Sequence, residues 1–210
     1  MTSNKEERAM SQTTNPASGK VLNVQLAYVH LLKPRAATDS GDDAKYSCVI
    51  IIPKDRKETI DSIRACIKAA YEAGVSKVWG GKAPAKATLR SPLRDGDVDR
   101  PDDEDFKNCY FINASSKTRP GIIDTKRNDL TDPSQEQEVY SGMLAHVTFT
   151  MFAYDAKGNK GISCGLNNVC KCGKGTFMGG RVSAESDFAD ELGSEFDTEP
   201  ANTGDDDDWL

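Results

Sequence analysis

The run KYSCVIIIPKDRKETIDSIRACIKAAYEAG at residues 45–74 decides the fold class, because two periodicities meet in it. Residues 45–52 are apolar and β-branched almost without a break, the pattern of a strand buried on both faces. Pro53 stops that strand, since proline cannot donate to a ladder. Beyond it the period changes from 2 to 3.6: Ile60, Ile63, Ile67, Ala70 and Tyr71 fall on one helical stripe. Asp55 stands three residues before Glu58, the spacing of a capping box with Asp as the cap. Gly74 supplies a C′ stop. A buried strand that runs straight into an amphipathic helix predicts an isoleucine stripe laid on a sheet.

On the N-terminal side, residues 21–32 (VLNVQLAYVHLL) alternate at first. Leu22, Val24 and Leu26 share one face, and Asn23 and Gln25 the other, so this is a half-buried strand. Pro34 ends it, and the turn-rich residues 35–43 form a hairpin loop to the next strand. Residues 1–19 are polar and read as a disordered lead, with order beginning at Lys20.

On the C-terminal side, residues 75–107 form a long irregular connection, which is usually functional or disordered. Residues 109–114 are a short strand, 115–120 a basic turn, 121–124 the start of another strand and 126–139 a polar loop. Residues 140–155 form the longest strand. Val147, Phe149, Met151 and Ala153 point one way; His146, Thr148, Thr150, Phe152 and Tyr154 point the other. A hairpin at 156–161 leads to a last strand at 162–169. The body at 20–184 is therefore mainly β, an OB-fold-like antiparallel barrel of five to six strands with one inserted helix. Other small barrels and sandwiches with an added helix fit the same strand count.

The chain carries 27 Lys and Arg against 33 Asp and Glu. Eleven of those carboxylates lie in residues 185–210 with no base among them, so the remainder holds 22 acids against 27 bases, a net +5. A basic body tied to an acidic, disordered tail suggests nucleic-acid binding with an interaction arm. No apolar run approaches the ~20 residues of a membrane span. No hydrophobic leader is present, so the expected place is the cytoplasm of the cell that makes the protein, with its six cysteines reduced. The cluster Cys164, Cys170, Cys172 has poor zinc spacing and would need Cys109 or His146 as a distant fourth ligand.

Catalytic signatures are thin. His30 and His146 sit in strand patterns with no triad partner and read as structural residues. Gly173-Lys174-Gly175-Thr176 lacks the remaining features of a phosphate loop. The acidic residues from Asp95 to Asp105 lack the order of a calcium loop and read as a solvated loop. The competing reading is a metal-dependent nuclease or recombination accessory enzyme that uses this cluster. The sequence implies no cofactor.

Cations interleaved with aromatic rings carry the stronger argument. Single strands need cations along their phosphates and exposed rings on which unpaired bases stack. The candidates are Lys77, Trp79, Lys82 and Arg90; Tyr110, Lys117 and Arg119; Phe152, Tyr154, Lys157 and Lys160; and Lys174, Phe177 and Arg181. Trp79, in a Gly/Lys-rich loop, and Tyr154, at a strand end beside a lysine hairpin, are the favoured stacking rings. Strand aromatics such as Tyr110 and Phe152 are more often buried.

The stretch FINASSKTRPGIID at 111–124, the Tyr140-Ser141-Gly142 strand start and the hairpin AKGNKGISCGL at 156–166 together resemble a family of tailed-phage single-stranded DNA-binding proteins. The resemblance spans residues 20–192 and includes Asn113, Lys117, Arg119 and Pro120. It implies an OB-fold, no catalytic residues, and a role in phage DNA replication and recombination inside the infected bacterium. The tail is similar to those of bacterial and podophage single-stranded DNA-binding proteins, which dock replication partners and compete with DNA. Here Asp205, Asp206, Asp207 and Asp208 are followed by Trp209 and Leu210 rather than by a terminal Phe. Analogy with podophage proteins suggests a homodimer.

Overall fold

The computed structural model describes residues 15–36, 44–85, 88–156, 158–176 and 178. Its strands are β1 (Ser18–Arg35), β2 (Lys45–Pro53), β3 (Leu93–Asp95), β4 (Cys109–Ser116), β5 (Gly121–Asp124), β6 (Leu144–Ala156) and β7 (Asn159–Gly173). They hydrogen-bond in the order β3-β4-β2-β1-β6-β7-β5. A further pairing of β4 with β7 closes β1, β2, β4, β7 and β6 into a five-strand barrel, the OB arrangement. β3 and β5 extend the sheet beyond the barrel. Two pairings, β4–β7 and β5–β7, are parallel rather than antiparallel. Among the described residues, no helix is long and apolar enough to cross a membrane.

Helix α1 (Lys57–Lys77) buries Ile60, Ile63, Cys66, Ala70 and Gly74, the expected stripe. Its ends differ from the sequence reading. The cap position is Arg56, and no side chain caps it, so Asp55 lies outside the helix. Gly74 is buried within the helix because α1 approaches β6 closely: a Cβ there would lie 2.4 Å from that of Ala153. The chain turns later, where Val78 and Trp79 both donate to the Gly74 carbonyl and Gly80 and Gly81 take positive φ.

β1 starts at Ser18, two residues before the expected onset, and Ala17 is already buried. Its alternation breaks at Asn23, which has φ 49° at a shift of register against β6. That bulge places Val21 and Val24 inside and leaves Leu22 44% exposed, against its predicted inward face. Pro34 does not end β1, because it falls in a second irregularity between His30 and Arg35.

β2 is buried on both faces, as its composition requires. Cys48, Ile50 and Ile52 join the barrel core. Val49 and Ile51 lie under a second cluster with Ala27, Phe106 and Phe111. That outer cluster anchors the end of the long connection through Phe106, whereas Val75, Trp79, Leu89 and Leu93 pack on the barrel core. The short helix α2 (Gly96–Asp99) is capped by the Asp95 carboxylate, and a 3-10 turn at Glu104–Phe106 by that of Asp103. Lacking long periodicity, these pieces left no strand or helix signal in the sequence.

Candidate nucleic-acid interface

Strand register builds the site. His30 pairs with Ser47, Ser47 with Ser115, Ser115 with Gly165, Gly165 with Thr150, and Thr150 with Ser18. Their neighbours Cys48, Ala114, Cys164, Phe149 and Met151 are buried in the core. By the two-residue period of a strand, the paired residues therefore lie on the outer wall. The result is a belt of mostly small side chains around the barrel. Hydroxyls line part of it: Ser18 and Thr150 share a hydrogen bond of 2.9 Å. Asn113, exposed and two residues from Ser115, widens the belt on β4.

Phe152 stands over this belt. It is 47% exposed, and two of its ring carbons lie 3.6 and 3.8 Å from where a Gly165 Cβ would be. At the far side of β4, Lys117 and Arg119 are exposed in the turn that follows the strand. The Arg119 guanidinium lies 5.9 Å from the Tyr46 ring centre and donates to the Thr131 carbonyl at 3.4 Å. In OB-folds, the face of the second and third barrel strands and the loops after the first and fourth strands receive oligonucleotides. Here those are β2 and β4, the β1–β2 loop and the β6–β7 hairpin.

Structure also gathers residues that are separate in sequence. The Arg90 N–H donates to the Lys160 carbonyl, and the Arg90 carbonyl accepts from Ile162, so the linker is stitched to the start of β7. Arg90 thereby joins Tyr154 and Lys160 at the β6–β7 hairpin. Lys160 is paired with Asp155 at 3.3 Å. Lys77 and Lys82 are exposed on either side of Trp79, and Lys174 is exposed beyond β7. Lys157, Phe177, Arg181 and the tail residues Asp205 to Leu210 lie outside the described residues.

Trp79 is a correction. It is 5% exposed, and its indole N–H donates to the Tyr154 carbonyl at 3.2 Å. Its ring packs at 5.6 Å from that of Tyr71 and against Gly74. The partners stand one and two helical turns earlier in α1, so the absence of apolar residues beside Trp79 in sequence misled. Tyr110 is half-buried against the core, with Lys54 and Arg64 5.2 and 6.0 Å from its ring centre. It shares the inward register of Ile112 rather than facing the belt. Ser47, Ser115, Thr150 and Gly165 escaped the sequence reading because small neutral residues give no charge or ring signal.

The acidic run between Asp95 and Asp105 is engaged in structure. Lys54 bridges Asp95 and Asp97 at 2.7 Å each. The Lys54 hydrogen bond, with the Asn108 N–H, holds the Asp97 carboxyl below the usual range. Arg94 pairs with Asp99 and Arg100 with Asp103. Arg100 stacks 4.5 Å from the Phe106 ring centre and 4.9 Å from that of Tyr28. Among the described residues, no three His, Cys, Asp or Glu side chains gather as a ligand set for a metal.

The cysteines do not converge either. Cys164 lies in the barrel core, whereas Cys172 contacts Asn23 on β1. Burial pushes the Cys48 thiol up to about 12 and raises Cys164 as well, so both stay protonated. His146 accepts the Asn23 N–H at 2.9 Å and so braces the β1 bulge. Burial and the nearby Arg35 charge lower the pKa of His30.

A closed OB barrel with an exposed ring over a belt of small residues, flanked by cations, places the protein in the class of OB-fold nucleic-acid-binding proteins. More specifically, the chain belongs to the Enterobacter phage Enc34 single-stranded DNA-binding protein family, whose model matches residues 18–199. It is 33% identical over 179 residues to putative protein p50 of Acyrthosiphon pisum secondary endosymbiont phage 1, covering 81% of this chain and 92% of that one. The single-stranded DNA-binding protein of bacteriophage Enc34, solved in complex with single-stranded DNA, superposes with a TM-score of 0.67 at 28% identity, over 78% of this chain and 90% of that one. The gp2.5 single-stranded DNA-binding protein of bacteriophage T7 shares the fold, with a TM-score of 0.52 at 18% identity over 88% and 98% of the two chains.

Proposed function

We propose that this chain binds single-stranded DNA without reading its sequence. The observation that carries the reading is Phe152, an exposed ring over Gly165 in a belt of mostly small side chains. Phosphates are neutralised by Arg90, Lys117, Arg119 and Lys160, with Lys77, Lys82, Lys157, Lys174 and Arg181 extending the path. Bases stack on Phe152, with Tyr154 and Phe177 as further rings, each stack worth ~1–3 kcal/mol. Membership of the Enc34 family supports this reading.

The finer role rests on the resemblance to phage single-stranded DNA-binding proteins. The chain coats single strands during phage DNA replication and recombination, in the cytoplasm of the infected bacterium and as a homodimer. Residues 20–184 form the binding domain. The acidic tail at 185–210 offers eleven carboxylates to the cations that phosphates would otherwise occupy. It competes with DNA and recruits replication or recombination proteins through Trp209 and Leu210.

A gel shift with a labelled oligonucleotide tests the reading. The expected result is a shift that excess duplex does not reverse and that weakens steeply with salt. No shift, or a shift that duplex competes away equally, rejects it.

A further inference from the structure

A pocket of about 260 Å³ opens between α1 and the segment before β3. Ile67 and Tyr71 of α1, with Leu89 and Ile162, give it an apolar floor. Two hydroxyls at the pocket are turned to backbone: Tyr71 donates to the Pro84 carbonyl at 3.0 Å, and Ser91 to that of Leu93 at 3.1 Å. Arg64, Lys68 and Arg90 are exposed along the rim. Arg64 pairs with Asp61 at 3.2 Å and Lys68 with Glu72 at 3.9 Å, all well exposed. Such surface pairs hold their charges loosely, so the cations can turn to another anion.

The pocket continues a path that the barrel wall begins. Phe152 and Tyr154 lie on one face of β6, ~7 Å apart along the strand, and each meets a glycine of β7. Gly165 lies under the Phe152 ring. A Cβ on Gly161 would stand 2.8 Å from the Tyr154 hydroxyl and 2.8 Å from the Arg90 carbonyl oxygen, so Tyr154 and Arg90 come together over Gly161. Arg90 in turn stands on the pocket's rim. The pocket is smaller than the ~300–1,000 Å³ clefts that enclose drug-sized ligands, and a single ring system suits it. We propose that it seats one base of the bound strand, turned out of the path beside Tyr154, with the flanking phosphates on Arg64, Lys68 and Arg90. The seat rests on the single-strand reading and carries that path past the belt onto α1. An apolar floor whose hydroxyls are engaged elsewhere takes a base by its faces, which suits binding that does not read sequence.

The test is photocross-linking of the full-length protein to oligothymidylates that carry 5-iododeoxyuridine at one end or the other, read by peptide mass spectrometry beside anisotropy titrations. Lengths cover the ~4–16 nucleotides that an OB-fold occupies. The expected result is an adduct on Tyr71 from one labelled end, once the oligonucleotide is long enough to pass Tyr154. Leu89→Trp fills the floor and should remove that adduct, with about a tenfold loss of affinity for the longer oligonucleotides, the worth of one base stack. Arg64→Gln with Lys68→Gln, both on the exposed face of α1, should lower the slope of log affinity against log salt by about 1.4, two phosphates at ~0.7 each. Bound oligonucleotides that give no Tyr71 adduct at any length overturn the seat. So does a Tyr71 adduct that Leu89→Trp leaves in place, or a salt slope that the rim variant leaves unchanged. If Leu89→Trp does not melt cooperatively, the parent adduct and the rim variant decide. An oligonucleotide that binds neither the parent nor the variants rejects the single-strand reading itself, a result that the titration separates from a missing adduct.

Discussion

Ser115 of β4 and Gly165 of β7 are parallel register partners, and their pairing helps close the barrel. The closure sets a residue without a side chain under the Phe152 ring. Gly165→Leu fills that space and pushes the ring off the belt. Its inner neighbours Cys164 and Leu166 are untouched, so the melting temperature should change by only a few degrees, as for a substitution worth ~1 kcal/mol. Affinity for an oligonucleotide should fall about tenfold, the loss of ~1.4 kcal/mol. Fluorescence anisotropy and a thermal melt check both; unchanged affinity removes Phe152 from the binding surface.

Trp79 and Phe152 should part in a pair of alanine variants. Trp79 fills the space between α1 and β6, and its removal should cost ~3–5 kcal/mol of stability. Phe152 is half in solvent, so its removal should leave folding nearly intact and weaken single-strand binding by ~1–3 kcal/mol. Urea melts alongside binding titrations separate the two. A Trp79→Ala protein that melts like the parent would mean that the indole is not structural.

These two rings also show what the sequence could convey. Local sequence favours Trp79 as the platform and Phe152 as the buried ring, and the third dimension reverses the two. Burial of residues 48–52 on both faces was legible because each of them, Cys48 through Ile52, is apolar. The β6 alternation was legible because no bulge interrupts it near Val147, Phe149 and Met151. Leu22 was misplaced because one positive φ at Asn23 shifts the register, and nothing in local composition marks that bulge. The belt was illegible for a different reason. It consists of register partners from five strands, and pairing is a long-range property.

Gly74→Ala sets helix propensity against packing. Alanine should gain ~1 kcal/mol in an α-helix interior. Its Cβ would meet the Ala153 Cβ at 2.4 Å, backed by the Trp79 ring, and overpacking of that kind costs ~1–3 kcal/mol. The expected net result is a lower denaturant midpoint, with the loss relieved in Gly74→Ala combined with Ala153→Gly. A more stable single variant contradicts the close approach of α1 to β6.

Acid should destabilise the fold through its bridged carboxylates. Lys54 and the Asn108 N–H lower the Asp97 pKa, and Lys171 lowers that of Glu138. A carboxylate with a depressed folded-state pKa stabilises the protein above its unfolded value, 3.8 for Asp and 4.5 for Glu. That contribution is lost as pH falls through the lower folded value. Melting temperature should therefore hold from pH 7 to about 5 and drop below about 4. Lys54→Met should lower the plateau and flatten the drop, since Asp97 then titrates closer to its ordinary value. A variant with the same acid limb as the parent would mean that the Lys54 bridge carries none of it.

Salt should distinguish the body from the tail. Each single-strand phosphate neutralised adds ~0.7 to the slope of log affinity against log salt. On the function proposed above, the carboxylates of residues 185–210 compete for the same cations in the full-length protein, which spends part of the body's charge at low salt. Deletion of residues 185–210 should tighten binding most at low salt and steepen the slope. The two proteins should converge as salt screens both competitors. Parallel slopes with a constant offset would point to a steric rather than an electrostatic tail, and equal affinities throughout would remove the tail from competition with DNA.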